Sequence, residues 1–422
     1  MGKTFAEKIL SIKSGKDVTA GEIVEIRPDF AMSHDNTAAI SKTFLELGVK
    51  HLADPDRHVI VLDHCVPAAN EKFAQNHKTI REFVKEQGIR NFYDIQRGIC
   101  HQVLSEEGFA LPGKVLVGSD SHTTTYGAFG SFATGIGRSE MAVIMATGKI
   151  WLRVPETLKI EINGVLPAGI SAKDVMLSIM KRLGADGALY QSVWFSGSVI
   201  NNFSLESRMV LTNMAVEMGA KNGYMEPDDK VLVYLESRAR TDFKVVTSDP
   251  DVDMDVVEVT VDNLEPQIAL PHAVDHVESV SAVEGTHIDQ IFFGSCTNAR
   301  LEDFAIVAHV LKGKQISPET RMLVIPASQQ VFTEALKAGY IEILSNAGAV
   351  IGNTGCGPCM GNHLGVLAPG ERTLSTSNRN FKGRFGCKES EIYLCSPLTA
   401  AASALTGKIT DFRTLDLTTL PV

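Results

Sequence analysis

A short β-branched, apolar run that stops at a polar cluster led by glycine or aspartate recurs four times along the chain. His58-Val59-Ile60-Val61-Leu62 runs into Asp63-His64, and Lys114-Val115-Leu116-Val117 into Gly118-Ser119-Asp120-Ser121-His122. Gln290-Ile291-Phe292-Phe293 leads to Gly294-Ser295-Cys296, and Ala349-Val350-Ile351 to Gly352-Asn353-Thr354-Gly355-Cys356. Unbroken apolar runs of this length suit strands buried on both faces, as in parallel sheets. Helical spacing lies between them. After Cys296, Thr297 and Asn298 offer capping side chains, and Leu301, Phe304, Ala305, Ala308 and Leu311 recur on one face. The pattern predicts an α/β protein. Open α/β sheets bind ligands beyond the carboxyl ends of their strands, so the four polar clusters could converge on one site.

The 422 residues suggest two or three domains at ~100–200 residues each. Composition shifts at Trp151–Pro155 and Pro266–Pro271 predict domains over 1–155, 156–284 and 285–422. Asp249 to Asp255 superficially resembles a calcium loop, but Val256 and Asp262 stand where glycine and glutamate are needed, so a solvated loop is expected. A net charge of −10 weighs against nucleic acid as a partner. It does not weigh against a small anion, because nearby arginines outweigh distant, screened charge. No segment approaches the ~20 apolar residues that cross a bilayer, so no membrane association is expected. The N-terminus leads into a charged, helix-like stretch with no apolar signal core, and Glu7 among Lys3, Lys8, Lys13 and Lys16, with no arginine, argues against organelle targeting. A cytoplasmic location is expected.

Seven cysteines are too sparse, and odd in number, for a disulfide scaffold. Cys356-Gly357-Pro358-Cys359 is a C-x2-C pair that alone reads equally as a redox pair, a zinc site completed by His363, or part of an iron–sulfur site. Cys65 and Cys100 stand beside histidines, while Cys387 and Cys395 have no partner at ligand spacing; all four are expected to be buried small hydrophobes. A [4Fe–4S] cluster normally takes four thiolates. Three, from Cys296, Cys356 and Cys359, would leave one iron open to substrate as a Lewis acid. Asp63-His64 is a possible proton donor with its orienting carboxylate, although a histidine after a strand is more often structural. Asn213 and Glu217, at i and i+4, read in isolation as one face of a structural helix.

These residues match a known family. Gly294-Ser295-Cys296-Thr297-Asn298 and Cys356-Gly357-Pro358-Cys359-Met360-Gly361 resemble, in the right order, the two cluster-binding signatures of the aconitase superfamily. The resemblance runs from Asp35 to the C-terminal region and implies three-layer α/β/α domains of the aconitase type. It implies one [4Fe–4S] cluster per subunit on three cysteines, with the fourth iron binding the substrate's hydroxyl and a carboxylate. It pairs Asp63 with His64 as the proton donor to the departing hydroxyl, and His101 with Asp120. Asp120-Ser121-His122-Thr123 matches a motif whose serine contacts substrate, while Asn213 reaches the cluster region and Glu217 orients His122. Asn378-Arg379-Asn380-Phe381-Lys382-Gly383-Arg384 matches a heptad whose arginines, Arg379 and Arg384, bind substrate carboxylates, a role that suits the bidentate guanidinium. One departure stands out. Ala39 aligns with a substrate-binding glutamine of aconitases, which argues against citrate, and leaves His34, Asp35 or Thr37 to contribute instead.

Single-chain aconitases carry a fourth domain with the serine base, and this sequence stops soon after the third. The resemblance is therefore to the large subunit of two-chain members: 3-isopropylmalate dehydratase, homoaconitase and 2,3-dimethylmalate dehydratase. It implies a small-subunit partner bearing the base and a reversible dehydration–hydration of a hydroxy-dicarboxylate or tricarboxylate, isopropylmalate of leucine biosynthesis being favoured. Two rivals are an iron-responsive RNA-binding regulator, opposed by the acidic charge, and a non-catalytic zinc or iron–sulfur module, which leaves the histidine, aspartate and arginine motifs unexplained.

Overall fold

Three of the four apolar runs become fully buried parallel strands in the computed structural model, which describes residues 2–415: His58–Val61, Val115–Gly118 and Gln290–Phe293. The fourth, Val350–Ile351, is a two-residue strand at a sheet edge, where one flank meets solvent and burial is incomplete. Four sheets result. The first is five-stranded and parallel, in the order Asn91–Tyr93, His58–Val61, Phe30–Ser33, Val115–Gly118, Phe132–Gly135. A parallel four-stranded sheet follows, built from Asn222–Tyr224, Ser192–Ser196, Thr157–Asn163 and Asp255–Thr260.

The largest sheet has seven strands, in the order Val277–Ser279, Gln267–Ala269, Glu391–Cys395, Arg372–Ser375, Gln290–Phe293, Arg321–Val324, Val350–Ile351. Its first two strands are antiparallel, and they draw residues 267–279, ahead of the expected boundary at 285, into this sheet. The remaining sheet is an antiparallel ribbon of Ile23–Ile26 and Ile150–Arg153.

Strand order fixes where a ligand can bind. In the first sheet the chain runs outward from Phe30–Ser33 to one edge, then restarts at Val115–Gly118 on the other side. In the seven-stranded sheet it does the same between Gln290–Phe293 and Arg372–Ser375. Each reversal opens a crevice beyond the strands' carboxyl ends. His34-Asp35 and Asp120 emerge at the first crevice, Cys296 and Asn378 at the second.

Several local expectations are corrected. The helix after Cys296 spans Leu301–Leu311 and begins at Arg300, whose N–H is capped by Asp303 Oδ2 at 3.0 Å; Thr297 and Asn298 lie in the loop before it. The acidic stretch is not free in solvent at its start, because Asp249 accepts the Lys3 N–H at 2.7 Å and pairs with Lys8. That contact docks the N-terminal helix Phe5–Ser14, whose Phe5 ring stacks on Tyr224 at 3.7 Å. Among the described residues no helix is long and apolar enough to cross a membrane.

Candidate active site

Asp35 opens the site. At the end of Phe30–Ser33, its Oδ2 accepts the backbone N–H groups of Asp63 and His64, both at 2.9 Å, and its Oδ1 that of Cys65 at 3.2 Å. His77 Nε2 lies 2.9 Å from the same carboxylate. These bonds hold the Asp35 carboxyl well below the usual carboxylate range, against the opposing effect of its burial. The turn they shape presents Asp63 Oδ1 to His64 Nδ1 at 2.6 Å, while Asp63 Oδ2 accepts the Cys100 N–H at 2.7 Å.

Asp120 is the hub. It caps a nine-residue 3₁₀ helix, Ser121–Phe129, by accepting the His122 N–H at 2.8 Å. Runs of 3₁₀ structure this long are uncommon. His101 Nε2 lies 2.8 Å from Asp120 Oδ1, and His64 Nε2 is 3.5 Å from Oδ2. Burial would lift the Asp120 carboxyl, but bonds from His101, His122 and His64 hold it well below its ordinary value. The converse holds for His64: burial pulls the imidazole down, and Asp63 with Asp120 raises it well above 6.5. His122 Nε2 is 2.7 Å from Glu217 Oε1, and Arg379 Nε donates to both oxygens of Glu217, at 2.8 and 3.0 Å. Burial and Arg379 press His122 down, and Asp120 and Glu217 outweigh them to raise it.

The pairings expected at Asp63/His64, His101/Asp120 and His122/Glu217 are thus all present as contacts. One expectation about them fails. Asn213 and Glu217 do not share a helix face, because Leu205–Met214 ends before Glu217, which sits in the following turn, Ala215–Met218. The change of geometry lets the two diverge: Glu217 turns to His122, and Asn213 Nδ2 to the sulfur of Cys296 at 3.2 Å.

The sulfurs of Cys296 and Cys359 meet these groups from the side of the seven-stranded sheet. Asn378 Nδ2 also lies 3.2 Å from Cys296 Sγ, and its Oδ1 is 3.8 Å from Cys359 Sγ. Ser295 Oγ stands 3.9 Å from both sulfurs, held there by a left-handed φ of 86° that a residue with a Cβ rarely adopts. Ala299, at φ 68°, closes the same loop. Such strain costs about 1–3 kcal/mol per residue and persists where surrounding bonds enforce it. Here they do so through Arg300, whose buried guanidinium donates to the carbonyls of Cys296 and Thr297 at 2.6 and 2.7 Å and to Gln102 Oε1 at 2.9 Å.

On the other loop, Gly355 has no room for a side chain beside Asp63, and the Cys356 N–H donates to the Asp63 carbonyl at 2.8 Å. Arg384 reaches within 3.9 Å of Cys359 Sγ, and its buried Nε has no partner among the described residues. A bond from Cys356, and the charges of Arg384 and His122, hold the Cys359 thiol well below its ordinary value against burial.

This donor set fits an iron–sulfur cluster better than one zinc ion. Among the described residues, the group of potential ligands that closes within 4.8 Å, as ligands of a single ion do, is His34, Asp35, Asp63 and His64; the three sulfurs are spread more widely. The carboxylates of that closed group are already engaged by backbone N–H groups and histidines. His363, the fourth zinc ligand considered, bonds instead to the Pro67 carbonyl at 2.7 Å. Cys65, Cys100 and Cys395 are buried as expected, whereas Cys387 is half-exposed beside Glu389.

Ala39 is exposed on the helix Thr37–Glu46. His34 touches the site. The ring stacks on His64 at 3.9 Å with an unpartnered Nδ1, and burial followed by the His64 charge draws it down to about 4. Thr37 bonds Ser33 and the His34 carbonyl, a buried structural role. Ser121, half-buried, lines a cavity of about 310 Å³ with Gly135, Glu140, Val216 and Lys221. His77, Tyr126, which lies 3.2 Å from His101 Nδ1, and Arg300 were not singled out in the sequence. None of them sits in a polar cluster that ends an apolar run.

A model of the Aconitase family (aconitate hydratase) matches residues 7–285 and 273–407. The chain belongs to the aconitase family. It is accordingly an α/β enzyme of the hydro-lyase class, in a family that typically carries a [4Fe–4S] cluster. Among similar proteins is the 3-isopropylmalate dehydratase large subunit 1 of Methanopyrus kandleri, 53% identical over 98% of this chain and 99% of its own length. The "Probable methanogen homoaconitase large subunit" of Methanosarcina mazei is 52% identical over 91% and 98%. The 3-isopropylmalate dehydratase large subunit 1 of Pyrococcus furiosus is 47% identical over 97% and 98%.

Proposed function

We propose that this chain is the cluster-binding large subunit of a 3-isopropylmalate dehydratase, interconverting 2- and 3-isopropylmalate by dehydration and rehydration. One observation carries the reading: a chain of histidine–carboxylate pairs runs to Arg379, while Arg384 and two amides reach the sulfurs of Cys359 and Cys296. Domains over 1–155, 156–284 and 285–422 would supply, in turn, the aspartate–histidine pairs, Asn213 with Glu217, and the cysteines with Arg379 and Arg384. Cys296, Cys356 and Cys359 hold the [4Fe–4S] cluster, which when bound supplies an iron without a cysteine ligand as a Lewis acid for substrate oxygens.

The chain's own residues do the rest. His64, kept protonated by Asp63 and Asp120, gives its proton to the departing hydroxyl. Asp120 and Tyr126 fix the His101 ring from its two nitrogens. Glu217 holds His122 and Arg379 in register. Arg379 and Arg384 bind the substrate's carboxylates, with Ser121 contacting substrate from the opposite loop. Asn213 and Asn378 donate to Cys296 Sγ and fix that sulfur's position. The group that takes the C–H proton belongs to a small-subunit partner, as the "large subunit" in the relatives' names suggests.

Homoaconitate remains the second reading, since a relative named for it is nearly as similar. The test is anaerobic reconstitution of the chain with its co-purifying second chain, assayed with isopropylmalate, homoaconitate and 2,3-dimethylmalate. Turnover of isopropylmalate, requiring both chains, is expected. Preference for another acid overturns the substrate, and full turnover by this chain alone overturns the divided site.

A further inference from the structure

Lys173 is fully buried in the first turn of the helix Ala172–Leu183. Its Nζ donates to the carbonyls of Thr376 at 2.9 Å and Ser377 at 2.6 Å, immediately before Asn378, whose amide touches Cys296. The same Thr376 carbonyl accepts from Thr297 Oγ1 at 2.7 Å, in the residue following Cys296. The lysine therefore grips the junction of the two segments that flank the sulfurs.

What it lacks is a carboxylate. The neighbouring Asp174 is bonded to Ser171 and to the Gln267 N–H, and Asp303 to Asn298 and the Arg300 N–H. Among the described residues no acidic side chain forms an ion pair with Lys173. Burial draws the amine down to about 8, against the pull of Cys395, Cys296, Asp303 and Cys359. A buried cation with only carbonyl partners is costly, and proteins retain one where an opposing charge compensates it. A four-iron cluster held by three thiolates is anionic, and becomes more so on reduction.

We propose that Lys173 is the buried counter-charge of this cluster, a positioning residue whose ammonium, set behind the Thr376–Asn378 segment, offsets the cluster's negative charge. The inference rests on the ligand assignment above. It states that the lysine serves the cluster and not the fold. Cluster potentials follow net charge and hydrogen bonding near the sulfurs, so removing a nearby positive charge makes reduction harder.

The test uses the full chain, reconstituted anaerobically with iron and sulfide, and two variants. Lys173→Gln removes the charge while keeping a donor; Lys173→Arg keeps the charge. The midpoint potential of cluster reduction, read by electron paramagnetic resonance during dithionite titration, should move to more negative values in Lys173→Gln and stay near the parent in Lys173→Arg. Urea unfolding of the apo-chain should be no easier for Lys173→Gln than for the parent. A parental potential in Lys173→Gln overturns the proposal. So does an apo-chain of that variant that is unfolded or less stable, because the side chain would then serve the fold itself. A parent chain that binds no iron and sulfide overturns the ligand assignment as well, which separates the two failures.

Discussion

The loops after Phe30–Ser33, His58–Val61 and Val115–Gly118 bring Asp35, Asp63 and Asp120 to the site, whereas those after Gln290–Phe293, Val350–Ile351 and Arg372–Ser375 bring thiols, amides and guanidinium groups. Both sets emerge at a reversal of strand order in a largely parallel sheet, so backbone geometry does not distinguish them. Charge does. In the first sheet the buried Asp35 and Asp120 carboxylates are held well below their ordinary range by imidazoles and backbone N–H groups, against burial. In the seven-stranded sheet the sulfurs are met by Asn213, Asn378, Arg384 and, one layer back, Lys173. One wall holds protons on His64 and His122, and the other sets amide donors and cations around sulfur.

The division of labour can be broken from either side. The largest effect is expected at the sulfur wall: Cys296→Ser or Cys359→Ser should lose the cluster, measured as iron and acid-labile sulfide, and bring activity to background. Cys65→Ser should keep both. At the proton wall, His64→Asn should leave iron and sulfide content unchanged while lowering kcat by about 10²–10⁴-fold, the usual worth of a positioned general acid. A variant that lost the cluster would show that the two walls are not separable.

Arg379→Lys addresses the seam between them. Lysine cannot reproduce the two-oxygen contact of Nε with Glu217 or a bidentate grip on a carboxylate. A fall in kcat/KM of about 10–100-fold is expected, from the ~1.5–3 kcal/mol of a charged hydrogen bond, with KM carrying most of it.

The remaining effect concerns stability and not turnover. His58 in the first sheet is buried, and burial draws its imidazole down to about 4 from 6.5. The unfolded chain therefore binds the proton first as pH falls. The stability from neutral, buried His58 is present above pH 6.5 and lost progressively toward pH 4. His58→Leu should reduce this acid sensitivity of the apo-chain, by up to about 3 kcal/mol at roughly 1.4 kcal/mol per pKa unit. Urea midpoints measured from pH 7 to pH 4 check it, and parallel slopes in variant and parent would refute it.

How much of this was readable in the chain follows from which signals are local. An apolar run ending in a polar cluster is a local pattern, and it located three buried strands and the loops of Asp63, Asp120 and Cys296. The fourth run gave a strand without the burial, because nothing in Val350-Ile351 reveals that its sheet ends there. The i, i+4 spacing of Asn213 and Glu217 was real, but the helix stops between them in a turn closed by Gly219 at φ 80°. His34 stands out in the sequence only by its nearness to Ala39, since its contact with His64 joins residues thirty apart. His77, Tyr126, Arg300 and Lys173 act through partners far along the chain or on backbone carbonyls, and no spacing rule encodes those.

The bond from the Cys356 N–H to the Asp63 carbonyl sets a condition on how such a molecule can change over generations. A Cβ at Gly355 would come within 2.8 Å of that same oxygen, so the glycine is locked by a residue almost three hundred positions earlier. A change of length in either loop would displace this contact, so the two loops are coupled through it. A chimera that joins the first half of one relative to the second half of another has to match at this seam first. Substrate preference becomes a question only for the hybrids that do.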